Sequence, residues 1–252
     1  LIVQYARYVS GSITGDFGES YKYPGKTVIE LLSPKLIVSA KLFLLSVLIS
    51  TFFGIPLGLY AALKQGTPTD PAIVSLTLIL YAMPVFLTAP LLIIIFALEL
   101  GWVPVSGWGG IFDKRAILPA ITVGLPGIAV IARLMRASTL DVIGQEFITF
   151  AKAKGVDRFS INFKHVGRNA ILPVVTVLGL SFSGMLGGAL IVELIFGIPG
   201  VARFALDAIF SRDYPIIMAL TLIGTASLVV ANLIVDILYV FLDPRIKYTN
   251  EN

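Results

Sequence analysis

The sequence predicts an all-α integral membrane protein, and two of its properties lead to that prediction. Hydrophobic residues make up 57% of the 252 residues and charged residues only 13%, with a mean hydropathy of +0.92, which leaves too little polar surface for a soluble domain. Five apolar stretches each provide about 20 or more residues, enough for a helix to cross a hydrocarbon layer of ~30 Å. Helix is expected because lipid offers no partner to unpaired backbone groups.

The first 35 residues mix aromatic side chains with glycine, serine and charges and end just after Pro34. This composition predicts an external interfacial segment with an ordered aqueous loop. The chain begins at Leu1 rather than at Met, and it lacks the basic start and apolar core of a signal peptide. We therefore expect that an N-terminal piece is missing.

The five apolar stretches are predicted to be membrane spans. Pro84 and Pro90 interrupt the second span and can bend it, which would free backbone carbonyls toward a cavity. Glycines four residues apart favour close helix packing within the bundle, and they occur as Gly54 with Gly58 and as Gly184 with Gly188. The predicted spans are residues 36–63, 72–100, 117–135, 170–196 and 215–242.

A polar interval between spans three and four, residues 137–169, sets the predicted orientation because short basic loops favour the cytoplasm. Its basic residues are Lys152, Lys154, Arg158, Lys164 and Arg168. An external start of the chain then implies a sixth span upstream. By alternation, residues 64–71 and the tail 243–252 lie inside, and residues 1–35, 101–116 and 197–214 lie outside.

Catalysis has little support in the sequence. The only histidine is His165 and there is no cysteine, so neither a histidine pair for zinc nor a cysteine-ligated metal is expected. No complete phosphate-binding loop occurs, so this chain is not expected to be the nucleotide-hydrolysing part of a P-loop protein. Lys41 and Glu193 lie near the outer ends of their spans, where snorkelling or a contact with a loop is expected.

Residues 137–169 are not a simple linker, because apolar residues recur there at helical spacing. Phe147, Phe150 and Ala151, with Lys154, fall on one side of a helix, and Phe159 and Phe163 follow. This pattern predicts a helix, a break at Gly155 and a short second helix, held on the membrane surface or by another protein.

The same interval resembles the conserved cytoplasmic loop of ABC importer permeases, and most of all that of the peptide-permease branch. The resemblance is carried by residues 150–155, then His165, 168–170 and 172–173. Two positions depart from the family pattern, since Thr149 replaces a glutamate and Ala202 replaces a glycine. Further matches are residues 15–20, 102–107, 198–200, 211–215, 232–236 and 243–245.

The resemblance implies a type I ABC importer permease fold with a coupling helix between about residues 151 and 163. It also implies a second homologous permease subunit, one or two P-loop ATPase subunits that bind ATP and Mg, and an extracytoplasmic solute-binding protein. No nucleic acid and no cofactor bound by this chain are expected, and the location implied is the inner membrane of a bacterium or archaeon. The predicted ATPase-coupling residues are Phe150, Ala151, Lys152, Ala153, Lys154, Gly155, Arg158, Phe159, Phe163 and His165.

Polarity and helix kinks suggest a substrate pathway lined by Tyr81, Met83, Phe86, Ser181, Ser183 and Asn232. Di- or oligopeptides are the expected cargo, with nickel complexes or another small solute as the alternative within the same class. A secondary transporter or channel acting without an ATPase is the alternative from a different class. A membrane-embedded enzyme ranks third.

Overall fold

The computed structural model describes residues 2–181 and 189–242. Its regular structure is helical, apart from one isolated antiparallel bridge between Glu19 and Thr27 in the described residues. The first helices are α1 (Ile2–Ile13), α2 (Val28–Leu63), α3 (Thr69–Ala82), α4 (Val85–Leu92, continued by a π-helical segment, Ile93–Glu99) and α5 (Ile117–Ile143).

The later helices are shorter, except the last. They are α6 (Glu146–Ala153), α7 (Arg158–Ser160, continued by a π-helical segment, Ile161–Gly167), α8 (Arg168–Ala170), α9 (Leu172–Ser181), α10 (Leu190–Ile195), α11 (Val201–Phe210) and α12 (Tyr214–Leu242).

Three helices in the described residues are long and apolar enough to cross a membrane, and the bent pair formed by α3 with α4 and its π-helical extension can count as a fourth span. The three are Val28–Leu63, Lys114–Ile143 and Tyr214–Ile234. Predicted spans one, two, three and five therefore coincide with helices. Span four is described only as α9 and α10, since residues 182–188 between them, together with Gly184 and Gly188, lie outside the described residues, as does the tail 243–252.

The break in span two occurs where Pro84 predicted it. Helix α3 ends at Ala82, Met83 adopts an extended conformation with φ −71° and ψ 119°, and α4 begins at Val85. Pro90 instead lies inside α4. A proline thus interrupts this span once rather than twice.

Two helices extend beyond the predicted apolar spans. Helix α2 begins at Val28 rather than at residue 36, because Thr27 and Glu30 exchange backbone-to-side-chain hydrogen bonds of 3.4 Å in a capping box. Helix α5 continues past Met135 to Ile143. Hydropathy locates the part of a helix that can lie in lipid, whereas capping and packing locate the ends of the helix.

The chain divides into two compact units. The first comprises Leu1–Leu45, Val85–Thr122 and Ser183–Val230. Its described core is built on Phe17, Val28, Leu32, Ala208, Ile216 and Ala219.

Two buried carboxylates organise the loops of the first unit. Glu193 is fully buried, accepts a hydrogen bond from the hydroxyl of Ser39 at 2.6 Å, and accepts another from the backbone N–H of Arg203 at 2.8 Å, in the first turn of α11. The hydroxyl of Ser39 also accepts from the N–H of Val201 at 2.8 Å. Glu193 therefore makes a loop contact, one of the two outcomes that its position predicted.

The second buried carboxylate, Asp213, joins the segment before α2 to the segment before α12. Its carboxylate accepts a hydrogen bond from the hydroxyl of Ser20 and bonds of 3.2 Å from the backbone N–H groups of Tyr21 and Lys22. Three donors compensate for the burial of the charge. The structure thus brings together residues 15–20 and 211–215, which the sequence only marked separately.

The second unit comprises Ser46–Pro84, Val123–Phe182 and Ala231–Asn252. Within it, α2 and α5 approach closely along Gly54 and Gly58. A Cβ atom added at Gly58 would lie 2.3 Å from the backbone oxygen of Ala132, and one at Gly54 would lie 2.8 Å from the side chain of Ile131. The predicted helix-packing role of this glycine pair is confirmed.

Candidate functional site: the segment between α5 and α9

The segment between α5 and α9 is folded against the core of the second unit. Buried residues from α6 and from the helical turns after it join residues of α2, α5 and α9 in one cluster. This cluster comprises Leu59, Ile131, Met135, Val142, Ile148, Ala151, Ile161, Val166, Ala170 and Val174. The segment therefore packs directly against two of the long helices, α2 and α5.

Gly155 ends α6 in a Schellman motif. It has φ +76°, its N–H donates to the carbonyl of Lys152 at 3.0 Å, and the N–H of Val156 donates to the carbonyl of Ala151 at 3.2 Å. Those two bonds define the motif, which favours glycine at the left-handed position. The predicted helix, break at Gly155 and second helix are confirmed. A further break at Gly144 and Gln145, which the sequence pattern did not predict, separates α6 from α5.

Helix α6 has an inner and an outer face, and the prediction assigned one residue to the wrong face. Ile148 and Ala151 are buried, whereas Phe147 is 40% exposed and Phe150 is 62% exposed. Ala151 therefore does not share the face of the two phenylalanines, because the core contacts of α6 are made through Ile148 rather than through the aromatic rings. Lys154 does lie beside Phe150, with its Nζ 4.5 Å from the ring centroid.

The second helical stretch begins at a capped turn and presents two more aromatic rings. The carboxylate of Asp157 accepts a hydrogen bond of 2.7 Å from the N–H of Ser160, and this bond is the main reason why the pKa of Asp157 lies below its ordinary value. The rings of Phe159 and Phe163 stack with centroids 4.6 Å apart, and both are more than half exposed.

The basic residues of the segment point away from its core. All five are exposed, and none has a carboxylate partner within 4.0 Å among the side chains that the structure describes. Their charge is therefore available to a partner. They are Lys152, Lys154, Arg158, Lys164 and Arg168.

Among the predicted coupling residues, Ala151 is buried and His165 is half-buried, while the others are exposed. The carbonyl of His165 accepts a hydrogen bond of 2.6 Å from the side-chain amide of Asn169, which stabilises the turn that contains it. An open groove beside Phe150 is lined by Gly144, Glu146, Phe147, Thr149, Phe150 and Ala153, so Thr149 lies on the outer surface.

The predicted pathway residues occupy varied environments. Tyr81, Phe86 and Asn232 are exposed, Met83 and Ser181 are half-exposed, and Ser183 lies outside the described residues. The hydroxyl of Ser181 donates to the carbonyl of Val177 in its own helix at 2.8 Å. The exposed ring of Tyr81 instead has a cation beside it.

That cation is Arg133, which the sequence reasoning did not include among the site residues. Its guanidinium carbon lies 4.8 Å from the centroid of the Tyr81 ring. One turn further along α5, Arg136 makes a bidentate pair with Asp70, with N–O distances of 2.6 and 2.7 Å. In the sequence, Arg133 could have been recognised as an arginine inside an apolar span that is followed three residues later by a second arginine.

Within the described residues, no group of three His, Asp or Glu side chains is arranged to hold a metal ion.

The fold is that of a type I ABC importer permease. The structure superimposes on a chain of an amino acid ABC transporter solved with histidines, with a TM-score of 0.61 and 19% sequence identity, over 83% of this chain and 92% of that one. It also superimposes on the MetNI methionine ABC transporter in inward-facing conformations, with a TM-score of 0.66 and 15% identity, over 85% of this chain and 97% of that one.

The sequence identifies the family. The model of binding-protein-dependent transport system inner membrane components matches residues 54–248, and the chain belongs to this family. It is 38% identical to the oligopeptide transport system permease protein OppB of Haemophilus influenzae, over 98% of this chain and 81% of that protein. It is also 38% identical to the oligopeptide transport system permease protein AppB of Bacillus subtilis, over 98% of this chain and 80% of that protein. The chain is a multi-pass inner membrane component of a transport system.

Proposed function

We propose that this chain is the membrane-spanning permease subunit of an ATP-driven importer that moves di- or oligopeptides across the inner membrane by alternating access. The relatives named as oligopeptide permeases support the cargo. The single observation that carries the mechanism is the segment around Gly155, whose inner face is packed into the helix core while its aromatic rings and cations are exposed. Such a segment can receive a force at its outer face and pass it to the membrane helices.

The proposed architecture has five spans in this chain. The predicted fourth span, residues 170–196, includes the described helices α9 and α10, and α6 with the turns up to Phe163 forms the coupling element. The segments at residues 1–35 and 197–214 face outward, where Asp213 ties the loop at Ser20 to the start of α12.

Coupling would act through a docked contact with an ATPase subunit. Phe150, Phe159 and Phe163 are the apolar anchors for a pocket, since exposed aromatic residues dominate the energy of many interfaces. Lys152, Lys154 and Arg158 provide steering and polar contacts.

Three residues keep the segment in register with the membrane helices. Ala151 attaches the helix to the core, Gly155 reverses the chain and His165 maintains the return turn through its carbonyl. Closure of the ATPases would move α6 as a rigid body with α5 and α9.

The partners proposed are a second homologous permease subunit, one or two P-loop ATPase subunits that hold ATP and Mg, and a solute-binding protein outside the membrane. The binding protein would deliver peptide to the outward segments. The lining of the passage would include the predicted pathway residues Tyr81, Met83, Phe86, Ser181, Ser183 and Asn232.

The test is purification of the tagged chain from its native membrane, identification of accompanying subunits, and reconstitution of the assembly in liposomes. We expect a second permease and P-loop ATPases to co-purify, and labelled oligopeptide to accumulate only with ATP and the binding protein. Uptake without any ATPase would overturn the proposal in favour of a secondary transporter or channel. ATP-dependent uptake of a nickel chelate but not of peptide would refute only the proposed peptide cargo.

A variant pair tests the docking surface. Phe150→Ala removes a 62% exposed ring from the coupling segment, and Phe210→Ala removes a 79% exposed ring at the end of α11. We expect retention of the ATPase subunit on the purified permease to fall at least tenfold for Phe150→Ala, since hot-spot truncation costs about 2 kcal/mol or more, and to stay unchanged for Phe210→Ala. Equal retention in both variants would refute the assigned contact.

A further inference from the structure

The two arginines on the inner part of α5 differ in how their charge is compensated. Arg136 forms a bidentate pair with Asp70, whereas Arg133 has no carboxylate within 4.0 Å among the side chains that the structure describes. Arg133 makes one weak hydrogen bond, from Nε to the carbonyl of Ala129 in its own helix, at 3.4 Å. Its remaining guanidinium donors are not used by any described bond.

Arg133 also lies within the third predicted membrane span, residues 117–135. That span is part of Lys114–Ile143, one of the helices long and apolar enough to cross a membrane. Charged side chains inside membrane spans are costly and almost always face a bundle interior or a water-filled cavity. An arginine without a carboxylate partner at this depth therefore points to an aqueous or anionic neighbour.

The ring beneath Arg133 orients the guanidinium for such a neighbour. Tyr81 presents one face of its ring at 4.8 Å from the guanidinium carbon, and the ring itself is 53% exposed. A guanidinium over a ring face retains its fork of N–H donors, which matches a carboxylate. Since Nε is turned toward its own helix, the two terminal nitrogens are left to bind a carboxylate.

The backbone next to Tyr81 gives an independent indication of an aqueous surface. Helix α3 ends at Ala82, one residue after Tyr81, and Met83 is extended and half-exposed. Interrupted backbone at membrane depth is tolerated only where protein covers it or where it lines a water-filled cavity. Within the described part of this chain, the faces of Tyr81 and Met83 are left partly uncovered, as the lining of a cavity requires.

We propose that Arg133 and Tyr81 form a binding site for the carboxylate of the transported solute, and that the C-terminal carboxylate of a peptide binds there as it passes. The inference depends on the proposed peptide transport for the nature of the solute. It adds a chemical preference to the membrane subunit itself, separate from any selectivity of the binding protein. Binding is reversible and electrostatic, so the site holds the anion without any covalent step.

The test compares trialanine with its C-terminal amide in the complete reconstituted importer, for the wild type and Arg133→Gln. The ratio of variant to wild type is taken for each peptide, so that discrimination by the binding protein cancels. We expect Arg133→Gln to lower ATP-dependent uptake of trialanine about tenfold, the size of one lost charge-assisted interaction, and to change uptake of the amide less than about twofold. Arg133→Lys keeps the charge and should recover part of the loss.

Lys64→Gln is the matched control. Lys64 also belongs to the second unit and lies over a tyrosine ring, with its Nζ 5.9 Å from the centroid of Tyr60. Removing this charge should affect both peptides equally. Binding is measured in addition by saturation-transfer NMR, with each peptide added to the permease–ATPase complex in the absence of the binding protein, so that a receptor which rejects the amide cannot hide the result.

Equal losses for trialanine and its amide in Arg133→Gln, or equal NMR binding of trialanine to the wild type and this variant, would overturn the inference. Losses for both peptides that follow the anionic lipid content of the liposomes would identify a lipid headgroup as the ligand and overturn it too. A wild type that accumulates no peptide with ATP would instead refute the proposed function.

Discussion

Replacing Gly155 by valine tests the coupling turn more directly than any other single change. Gly155 has φ +76°, and a Cβ built there meets no atom within 4 Å, so the perturbation is backbone strain rather than a clash. An L-residue in this conformation costs about 1–2 kcal/mol, and a β-branched residue costs more. The strain shifts the equilibrium by about 5–30-fold toward other turn conformations, in which Gly155 and Val156 no longer hydrogen-bond to α6.

The assay is peptide uptake together with ATP hydrolysis stimulated by the loaded binding protein, both measured in liposomes. We expect Gly155→Val to lower coupled uptake by up to that factor while membrane insertion is preserved, because the inner face of α6 stays packed in the core. Gly155→Asn should retain more activity, since asparagine tolerates the left-handed region.

Gly66 offers a matched control for this variant. It has φ +81°, and a Cβ there also meets nothing within 4 Å, but it lies in the turn between α2 and α3 rather than in the coupling segment. Gly66→Val should carry the same local strain and leave coupling intact. The reasoning is wrong if Gly155→Val couples normally, or if Gly66→Val impairs transport just as much.

Three further predictions concern stability and pH. Gly58→Ala should lower the thermal unfolding midpoint in detergent, because the added Cβ meets α5 and overpacking costs about 1–3 kcal/mol. Gly224→Ala, where an added Cβ meets no atom within 4 Å, should leave the midpoint unchanged. Similar midpoints for the two variants would contradict this reasoning. Glu193→Ala should lower the free energy of unfolding by about 1–3 kcal/mol, because it leaves buried donors unpaired. It should also speed hydrogen exchange at the start of α11, and unchanged exchange there would contradict the prediction. The pKa of Asp157 is lowered by its bond to Ser160, so the carboxylate stabilises the second helical stretch above its ordinary pKa of 3.8 and loses this effect as pH falls through the lower folded value. The hydrogen-exchange protection factor at that turn, which corrects for the intrinsic exchange rate at each pH, should fall in acid for the wild type but not for Asp157→Asn. Identical pH profiles of this protection factor would count against the cap.

The position of the segment between α5 and α9 could be predicted, but its inner and outer faces could not be fully assigned. A glycine after a helical pattern is a local signal, and the break occurs at Gly155 as expected. The periodicity placed Ala151 with Phe147 and Phe150, whereas the structure buries Ala151 together with Ile148. Periodicity reports that a helix has an apolar side, but the neighbouring elements decide which apolar residues they cover.

For charged residues too, the sequence indicated that a contact was needed, but only the folded structure decided which partner makes it. Glu193 was expected to snorkel or contact a loop, and the choice depends on Ser39, which is 154 positions away in sequence. The unpaired state of Arg133 depends equally on the fact that Asp70 reaches Arg136 instead. Ser39 and Asp70 are both too far in sequence from the residues that they contact for a local pattern to reveal the contact.

The sequence by itself determined the membrane location, the helical class and the basic segment between spans three and four, because hydropathy, charge and glycine act locally along the chain. Tertiary structure alone decided the close approach of α2 to α5 at Gly58, the anchoring of Ser20 by Asp213, and the contact of Arg133 with the ring of Tyr81. These features join residues that are far apart in the chain, and their energies depend on distances of a few ångströms that exist only once the helices have packed.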